Sequence, residues 1–426
     1  MKTARSLHAL LATALVGALL ILSRQSCCAQ SVLPEQSTPK EVYSGVLQFV
    51  TNSLFDDHAV QVVQTHMHDY EGLVKTLADA HKFINKVLGL AGDPYTRYLD
   101  AEQTRELRRS LNGNETIAGV GIVFEKGDVY PLVAEVLTGS PAEKGGIAEN
   151  DVILAVDGTN AKGMDLDRLT GCIRGKIGTR VVLRISRGRK QFNVTLTRAS
   201  VTLPLVTTKM LSQRIGYLRL RSFADIMPTV VPFEKALLKF QQEEAQGLIV
   251  DLRNNPGGYV QTCLQLASLF LEEGTLVSTK SRSENGAYNT VSYVLTPDGI
   301  VSSEPMDRQP YIWDKPVIVL VNGHSASAAE MFTAALRDNH RAVVVGTQSF
   351  GKGVGQIGAD MPQRTLLLVT NFRYYTPNGT WLGDGVSHKI GVSPDIVVEA
   401  DTGDRPGSAQ DAQLQAAIQA LLSQVR

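Results

Sequence analysis

Between Lys40 and Asn85 apolar residues return every three or four positions, at Val42, Val46, Phe49 and Val50 and again at Leu73, Leu77 and Ile84. That period places one apolar stripe along a helix, so it predicts a small helical region. The turn residues Gly92-Asp93-Pro94-Tyr95 interrupt it, and a further helix is predicted to begin near Ala101. From Gly113 to about Arg198 the rhythm changes. Short β-branched stretches at 120–124, 129–136, 152–156, 181–185 and 191–196 alternate with glycine turns, and short helices fit near 141–145 and 165–173. This pattern predicts a compact β-rich module. Beyond Arg214 the order becomes strand, helix, strand. Strands are predicted at 215–220, 248–252, 316–321 and 342–345, and helices at 228–242, 259–271 and 327–337. Strands that are apolar throughout and separated by helices predict an α/β layer covered on both faces. Residues 280–312, rich in Ser, Asn, Gly and Pro, read as a surface insertion, and residues 411–425 as an amphipathic helix.

The first residues read differently. Lys2 and Arg5 precede an almost wholly apolar run from Leu7 to Leu22, and Cys27-Cys28-Ala29 follows. This is the plan of a secretory signal peptide cleaved after Ala29. It implies an exported, periplasmic or otherwise extracytoplasmic protein. Left uncleaved, the run would hold the protein at a membrane, although it falls a little short of the roughly 20 residues of a spanning helix. The whole chain of 426 residues has 42 basic and 42 acidic residues; without residues 1–29 it has 39 and 42. Neither balance suggests a nucleic-acid partner. Beyond the leader only Cys172 and Cys263 remain, and their spacing leaves a bridge or two free thiols equally open.

Three stretches carry candidate chemistry. The apolar residues 317–321 lead through Asn322-Gly323-His324 into Ser325-Ala326-Ser327-Ala328-Ala329-Glu330. A strand that turns at glycine into a helix of small residues exposes a side chain where α/β folds place their sites, beside unpaired helix N–H groups. An ordinary serine helix cap has the same appearance. Lys352 lies between two glycines in Ser349-Phe350-Gly351-Lys352-Gly353. To act as a base near neutral pH it needs its pKa lowered by roughly 2–3 units, which burial can supply. Asp251-Leu252-Arg253-Asn254-Asn255-Pro256-Gly257-Gly258 ends in paired glycines whose N–H groups can line an oxyanion hole. No Walker-type or Gly-x-Gly-x-x-Gly loop is present, and no metal or organic cofactor is called for.

Together these stretches resemble the C-terminal processing peptidases, a serine–lysine protease family with an inserted PDZ domain and a spiral ββα, crotonase-like core. The resemblance implies Ser327 as nucleophile, Lys352, 25 positions on, as general base, and Gln356 assisting the lysine. Ala328 with Gly257 or Gly258 would hold the oxyanion. Asp338 matches an acidic position of some members, whereas Ala329 replaces a commoner serine and His324 receives no role. Asp93-Pro94-Tyr95-Thr96-Arg97-Tyr98-Leu99 and Gly391-Val392-Ser393-Pro394-Asp395 match two further signatures. A His-Asp-Ser protease would require a nucleophile loop like Gly-Asn-Ser-Gly-Gly, which is missing, and a PDZ adaptor with a retired core would have lost Ser327 or Lys352.

The β-rich region resembles a PDZ domain through residues 140–147 and 151–158. There Gly119, Val120, Gly121 and Ile122 would hold a terminal carboxylate, and the peptide would add as a strand beside residues 120–124. Leu166, Leu169 and Ile173 line the groove or belong to the module's core. The expected partition is a signal peptide at 1–29, a linker and helical region at 30–104, a PDZ domain at 105–199, a protease core at 200–400 and a tail at 401–426. The partners implied are protein substrates held by their C-terminal tails, with the N-terminal helices as a homodimer surface by family analogy alone.

Overall fold

The structure is a computed structural model that describes residues 20–21, 32–113, 116–125, 127, 129–137, 139–283, 286–399, 407 and 411–425. The predicted leader, apart from Leu20 and Ile21, lies outside the described residues. The chain divides into two compact units. One comprises Met1–Gly113, Leu205–Val398 and Ala417–Arg426, and the other Asn114–Pro204 with Glu399–Ala416.

In the first unit the N-terminal stripe forms helices Pro39–Ser53, Asp57–His66 and Leu77–Leu90. Their starts are set by side chains that accept from first-turn N–H groups: Thr38 from Glu41, Asp56 from Ala59, and Thr76 from Asp79. The apolar stripe packs Val46, Val50, Ile84 and Val87 against Leu367 and Val369. A helix at Ala101–Leu111, capped by Asp100, buries Leu107 and Leu111 against Leu366 and Leu368. That packing places residues 101–113 in the first unit. The β-rich module therefore starts near Asn114 rather than at the expected 105.

A six-stranded sheet runs in the order Val206–Leu211, Ile215–Leu220, Gly247–Asp251, Val317–Val321, Val343–Gly346, Ile396–Val397. All its pairings are parallel except the first. Its three central strands are apolar apart from Asp251 and, except for half-buried Val343, buried on both faces, as the sequence pattern predicts. Helices Ile226–Gln242, Val260–Ser268 and Ala328–Asp338 share one core with it. The C-terminal helix Ala412–Gln424 sets Leu421 against Gly247, where a Cβ would clash at 2.6 Å.

An eight-stranded sheet was less visible in the pattern. Val354–Met361 pairs antiparallel with Thr365–Tyr375, which pairs in turn with Gly274–Arg282, followed by Tyr288–Thr296 and Gly299–Val301. Residues 280–312, expected as an insertion, thus hold the second strand of a long hairpin and the short strand after it. Their Ser, Thr and Asn positions face outward on half-exposed strands, which gives them the composition of a loop.

The second unit has strands Ile122–Glu125, Leu132–Val136, Val152–Val156, Arg180–Arg187 and Lys190–Thr197 in that spatial order, with Thr159–Asn160 beside the third. Thr116–Gly119 pairs with Ala199–Thr202 in a separate ribbon. Val133, Ile153, Leu169, Val181 and Leu183 fill its core. Among the described helices of the whole chain, none is long and apolar enough to cross a membrane.

Candidate active site

Strand Val317–Val321 ends at Asn322, and the chain turns into helix Ala328–Asp338 with Ser327 just before its first residue. Ser327 has φ 61° and ψ −118°, a conformation costly for a side chain other than glycine. Its residue is fully buried, and its Oγ has no hydrogen-bond partner. Ser325 is placed quite differently. Its hydroxyl donates to Leu252 O at 2.8 Å and accepts from Asn322 N at 2.9 Å, so it fastens the turn to the neighbouring strand end. The strained, unengaged hydroxyl belongs to Ser327.

Lys352 is carried on the loop ahead of strand Val354–Met361, where Gly351 at φ 87° allows the backbone to turn. Its residue is fully buried, and Nζ donates to Gln356 Oε1 at 3.0 Å. Gln356 Nε2 reaches Thr370 Oγ1 at 3.4 Å on the adjacent strand. Burial lowers the Lys352 pKa to about 7; Asp93 and Glu330 oppose the fall and Arg97 adds to it. A lysine lowered this far carries a sizeable neutral fraction at physiological pH, the form in which an amine can accept a proton.

Gly257 lies against Ser327, and Gly258 against Phe223. A Cβ on Gly257 would stand 2.8 Å from Ser327 Cβ and 2.9 Å from Ala328 N, and one on Gly258 would stand 2.0 Å from Phe223 O. Both have positive φ, 101° and 146°, so the close approach and the backbone conformation each require glycine. The Gly257 N–H donates to Asn255 Oδ1 at 2.9 Å. The Ala328 N–H begins a helix and has no intrahelical acceptor. Asn255 also ties the two segments together, since its carbonyl accepts from Ala326 N at 2.9 Å.

Two bridging residues carry no signal that the sequence reading used. Glu330, fully buried one turn into the helix that follows Ser327, accepts from Ser327 N at 2.8 Å, Ser349 Oγ at 2.5 Å, Gly351 N at 2.6 Å and Lys352 N at 2.9 Å. Burial pushes its carboxyl above the usual range, while all four donors favour the ionised form. Tyr374 lies on the sheet behind the site. Its hydroxyl donates to Lys352 O at 2.5 Å and lies 3.2 Å from Ser327 O. Glu330 stands in the motif quoted above, at helical spacing from Ser327, and that spacing was the available signal. Tyr374 had none, because only sheet pairing brings it here. Asp251, at the end of its strand, is buried, which by itself raises its pKa. Arg253, at 3.0 and 2.6 Å, reverses this and holds the carboxyl below its ordinary range. Asp338 accepts from Arg337 and from Asn378 N at the far end of helix Ala328–Asp338, a structural position.

In the second unit Gly119 ends a ribbon strand opposite Ala199, and Ile122 begins the edge strand of the sheet. Between them the Val120 carbonyl accepts from Ala142 N at 2.8 Å and the Gly121 carbonyl from Leu137 N at 3.0 Å. Leu169 and Ile173 are buried and Leu166 half-buried on helix Leu166–Ile173. Cys172 and Cys263 are both free thiols, which resolves the question left open by their spacing. Among the described residues no group of three or more His, Cys, Asp or Glu could hold a metal ion.

The model of peptidase family S41 matches residues 214–398 and a PDZ domain model matches residues 132–187. The chain is 35% identical over 358 residues to a carboxyl-terminal-processing protease of Picosynechococcus sp., an alignment spanning 82% of this chain and 80% of that protein. It is 32% identical over 308 residues to a CtpA-like serine protease of Staphylococcus aureus, spanning 72% of this chain but only 57% of that longer protein. Among solved structures, the photosystem II D1 C-terminal processing protease matches with a TM-score of 0.52 at 26% identity, over 85% of this chain and 94% of that one. An S41 protease from Bacteroides fragilis shares the fold, with a TM-score of 0.54 at 18% identity over 80% and 90% of the two chains. With a serine endopeptidase's family model over the strained serine and buried lysine, and a PDZ model over the second unit, the chain belongs to peptidase family S41, among the carboxyl-terminal-processing serine proteases that carry a PDZ domain.

Proposed function

We propose that this chain is an exported endopeptidase that takes protein C-termini in its PDZ domain and cleaves near them through a Ser327–Lys352 dyad. The observation that carries the reading is Lys352 itself. It is a fully buried amine lowered to about 7, held by Gln356 and joined through Glu330 to the strained Ser327. Neutral Lys352 takes the Ser327 hydroxyl proton as Oγ attacks the peptide carbonyl carbon. The Ala328 N–H and a glycine N–H stabilise the oxyanion. Gly258 is the better candidate of the pair, because the Gly257 N–H is already donated to Asn255. Protonated Lys352 then gives its proton to the leaving amine, and the neutral amine activates water to release the acyl group. Gln356 orients the lysine throughout.

The surrounding parts follow the same reading. Residues 1–29 act as the signal peptide, the β-rich second unit as the PDZ domain, and the core as a spiral ββα fold of crotonase-like type. The tail of a substrate adds as a strand beside Ile122–Glu125, with its carboxylate at Gly119–Ile122. Support for this is that Ile122–Glu125 is the terminal strand of its sheet and pairs on one side with Leu132–Val136. The test is cleavage of a protein with an apolar C-terminal tail. Ser327→Ala and Lys352→Ala are each expected to lower kcat by about a thousandfold or more with the fold intact. Undiminished cleavage by Lys352→Ala would overturn the dyad.

A further inference from the structure

A further contact with Lys352 comes from far back in the chain. Lys352 Nζ stands 4.4 Å from the centroid of the Tyr95 ring, within the range of a cation–π contact. Tyr95 is buried, and its hydroxyl donates to the carbonyl of Asp384, the residue whose backbone bridges Lys352. The turn that presents the ring is locked from inside. Asp93 accepts from Tyr95 N at 3.0 Å and from Thr96 Oγ1 at 2.5 Å, and Thr96 Oγ1 accepts in turn from Thr370 N at 3.0 Å. Thr370 is the residue that receives Gln356 Nε2, and Gln356 receives the lysine. A single circuit therefore runs from Lys352 through Gln356, Thr370, Thr96 and Asp93 to Tyr95, and closes on the ammonium through the ring.

We propose that Tyr95 is a positioning residue for the general base: its ring face holds Lys352 Nζ toward the nucleophile and stabilises its protonated form. The inference rests on the dyad reading above. The charged groups that bear on Lys352 are Asp93 from the same turn, Arg97 at the start of the strand that follows it, and Glu330 from the nucleophile helix. None of the three is altered by a substitution at Tyr95. Because the ring face favours the cation, removing it makes protonation harder, so the neutral base persists to lower pH.

The experiment measures kcat/KM for cleavage of β-casein from pH 5 to 9 with full-length protein, with Ser327→Ala as the control. Wild type is expected to show an acidic limb near pH 7. Tyr95→Leu is expected to move that limb to lower pH by about half a unit or more, with kcat down about tenfold as the amine loses its orientation. Tyr95→Phe, which keeps the ring, is expected to hold the limb at the wild-type position. Pentafluorophenylalanine at position 95 keeps the shape but withdraws the negative ring face. It is expected to shift the limb as Tyr95→Leu does, and it serves where the leucine variant does not fold. A limb that stays put, or moves to higher pH, in the leucine or fluorinated protein overturns the inference, as does an equal shift in Tyr95→Phe. If Ser327→Ala cleaves as well as wild type, or the wild-type limb is missing, the dyad reading itself fails.

Discussion

The two units of this chain keep their working groups in opposite environments. In the first, Ser327, Lys352, Gln356 and Glu330 are all fully buried; Ser327 sits on a strained backbone, and burial shifts the titrations of Lys352 and Glu330. In the second, the proposed recognition element is the backbone of an edge strand and the turn before it, with the apolar core packed behind. The difference follows from the chemistry. An amine becomes a base at neutral pH only when water is withdrawn from it, so catalysis has to be bought with buried polarity. A tail that binds by strand addition needs unpaired N–H and C=O groups facing solvent, so recognition requires an open edge. The catalytic unit should therefore be less stable than its packing would allow, and the recognition unit should not.

The sharpest way to break that contrast is Lys352→Met. Activity is expected to fall about a thousandfold or more while stability at pH 6–7 rises. The sign follows from the two pKa values. The unfolded lysine titrates near 10.4 and the folded one near 7, so between those values the unfolded chain holds a proton that the folded chain lacks. Stability of the wild type therefore climbs with pH across that window, and the full cost of the buried ammonium is present below about 7. Methionine removes this cost, on the order of a few kcal/mol, less about 1–3 kcal/mol for the stranded Gln356 carbonyl. Urea denaturation at pH 6.5 and at pH 10.5 measures the difference. A variant less stable than wild type at both would mean that the buried lysine is not a stored cost.

Glu330→Gln comes next and pushes stability the other way. Each Glu330 oxygen accepts two donors, Ser349 Oγ and Gly351 N on one and Ser327 N and Lys352 N on the other. An amide NH₂ replaces one of those oxygens and faces two N–H or O–H donors, leaving buried groups unpaired. The expected cost is about 3 kcal/mol, with kcat lowered about a hundredfold because the two dyad segments lose their shared clamp. Chemical denaturation and steady-state kinetics check the two effects separately.

These residues also mark where the sequence was readable. Ser327, Lys352 and the turn through Gly258 lie in short contiguous motifs, because each must sit at a glycine-shaped junction between a buried strand and its neighbour. The central parallel strands were visible for a related reason: burial on both faces leaves them uniformly apolar. What escaped depends on pairing across the chain. Tyr374 and Thr370 reach the site only through the register of Val354–Met361 against Thr365–Tyr375. Tyr95 arrives from a turn whose residues 93–99 match a family signature in sequence, but nothing in that stretch points to Lys352. The hairpin within residues 274–296 was hidden by its polar outer face, and the module boundary moved because Leu107 and Leu111 complete the core of the first unit.

On the recognition side, Gly121→Ala tests whether the turn into the edge strand is as constrained as the catalytic turns. Gly121 has φ 80°, and a Cβ there would stand 2.2 Å from Ser140 Cβ. The substitution is expected to destabilise the second unit by about 1–3 kcal/mol and to weaken binding of a tail peptide about tenfold. Fluorescence anisotropy with a labelled C-terminal peptide reads the binding directly. Unchanged affinity would remove Gly121 from the carboxylate-binding turn.

The smallest effect compares the two thiols, one in each unit. Cys263 is fully buried, and its Sγ donates to Ala328 O at 3.4 Å beside the nucleophile helix; burial pushes its thiol pKa well up. Cys172 is only half-buried on the PDZ helix. Reactivity follows thiolate and access, so the buried thiol should be inert and the other should react. In protein beginning at residue 30, a thiol reagent such as DTNB is expected to label Cys172 alone under native conditions and both cysteines in denaturant. Reductant should leave the melting temperature unchanged, because no disulfide joins them. Native labelling of Cys263 would show that the floor of the catalytic site opens to solvent. The withdrawal of water that lowers Lys352 would then be incomplete, and the contrast between a sealed catalytic unit and an open recognition unit would weaken.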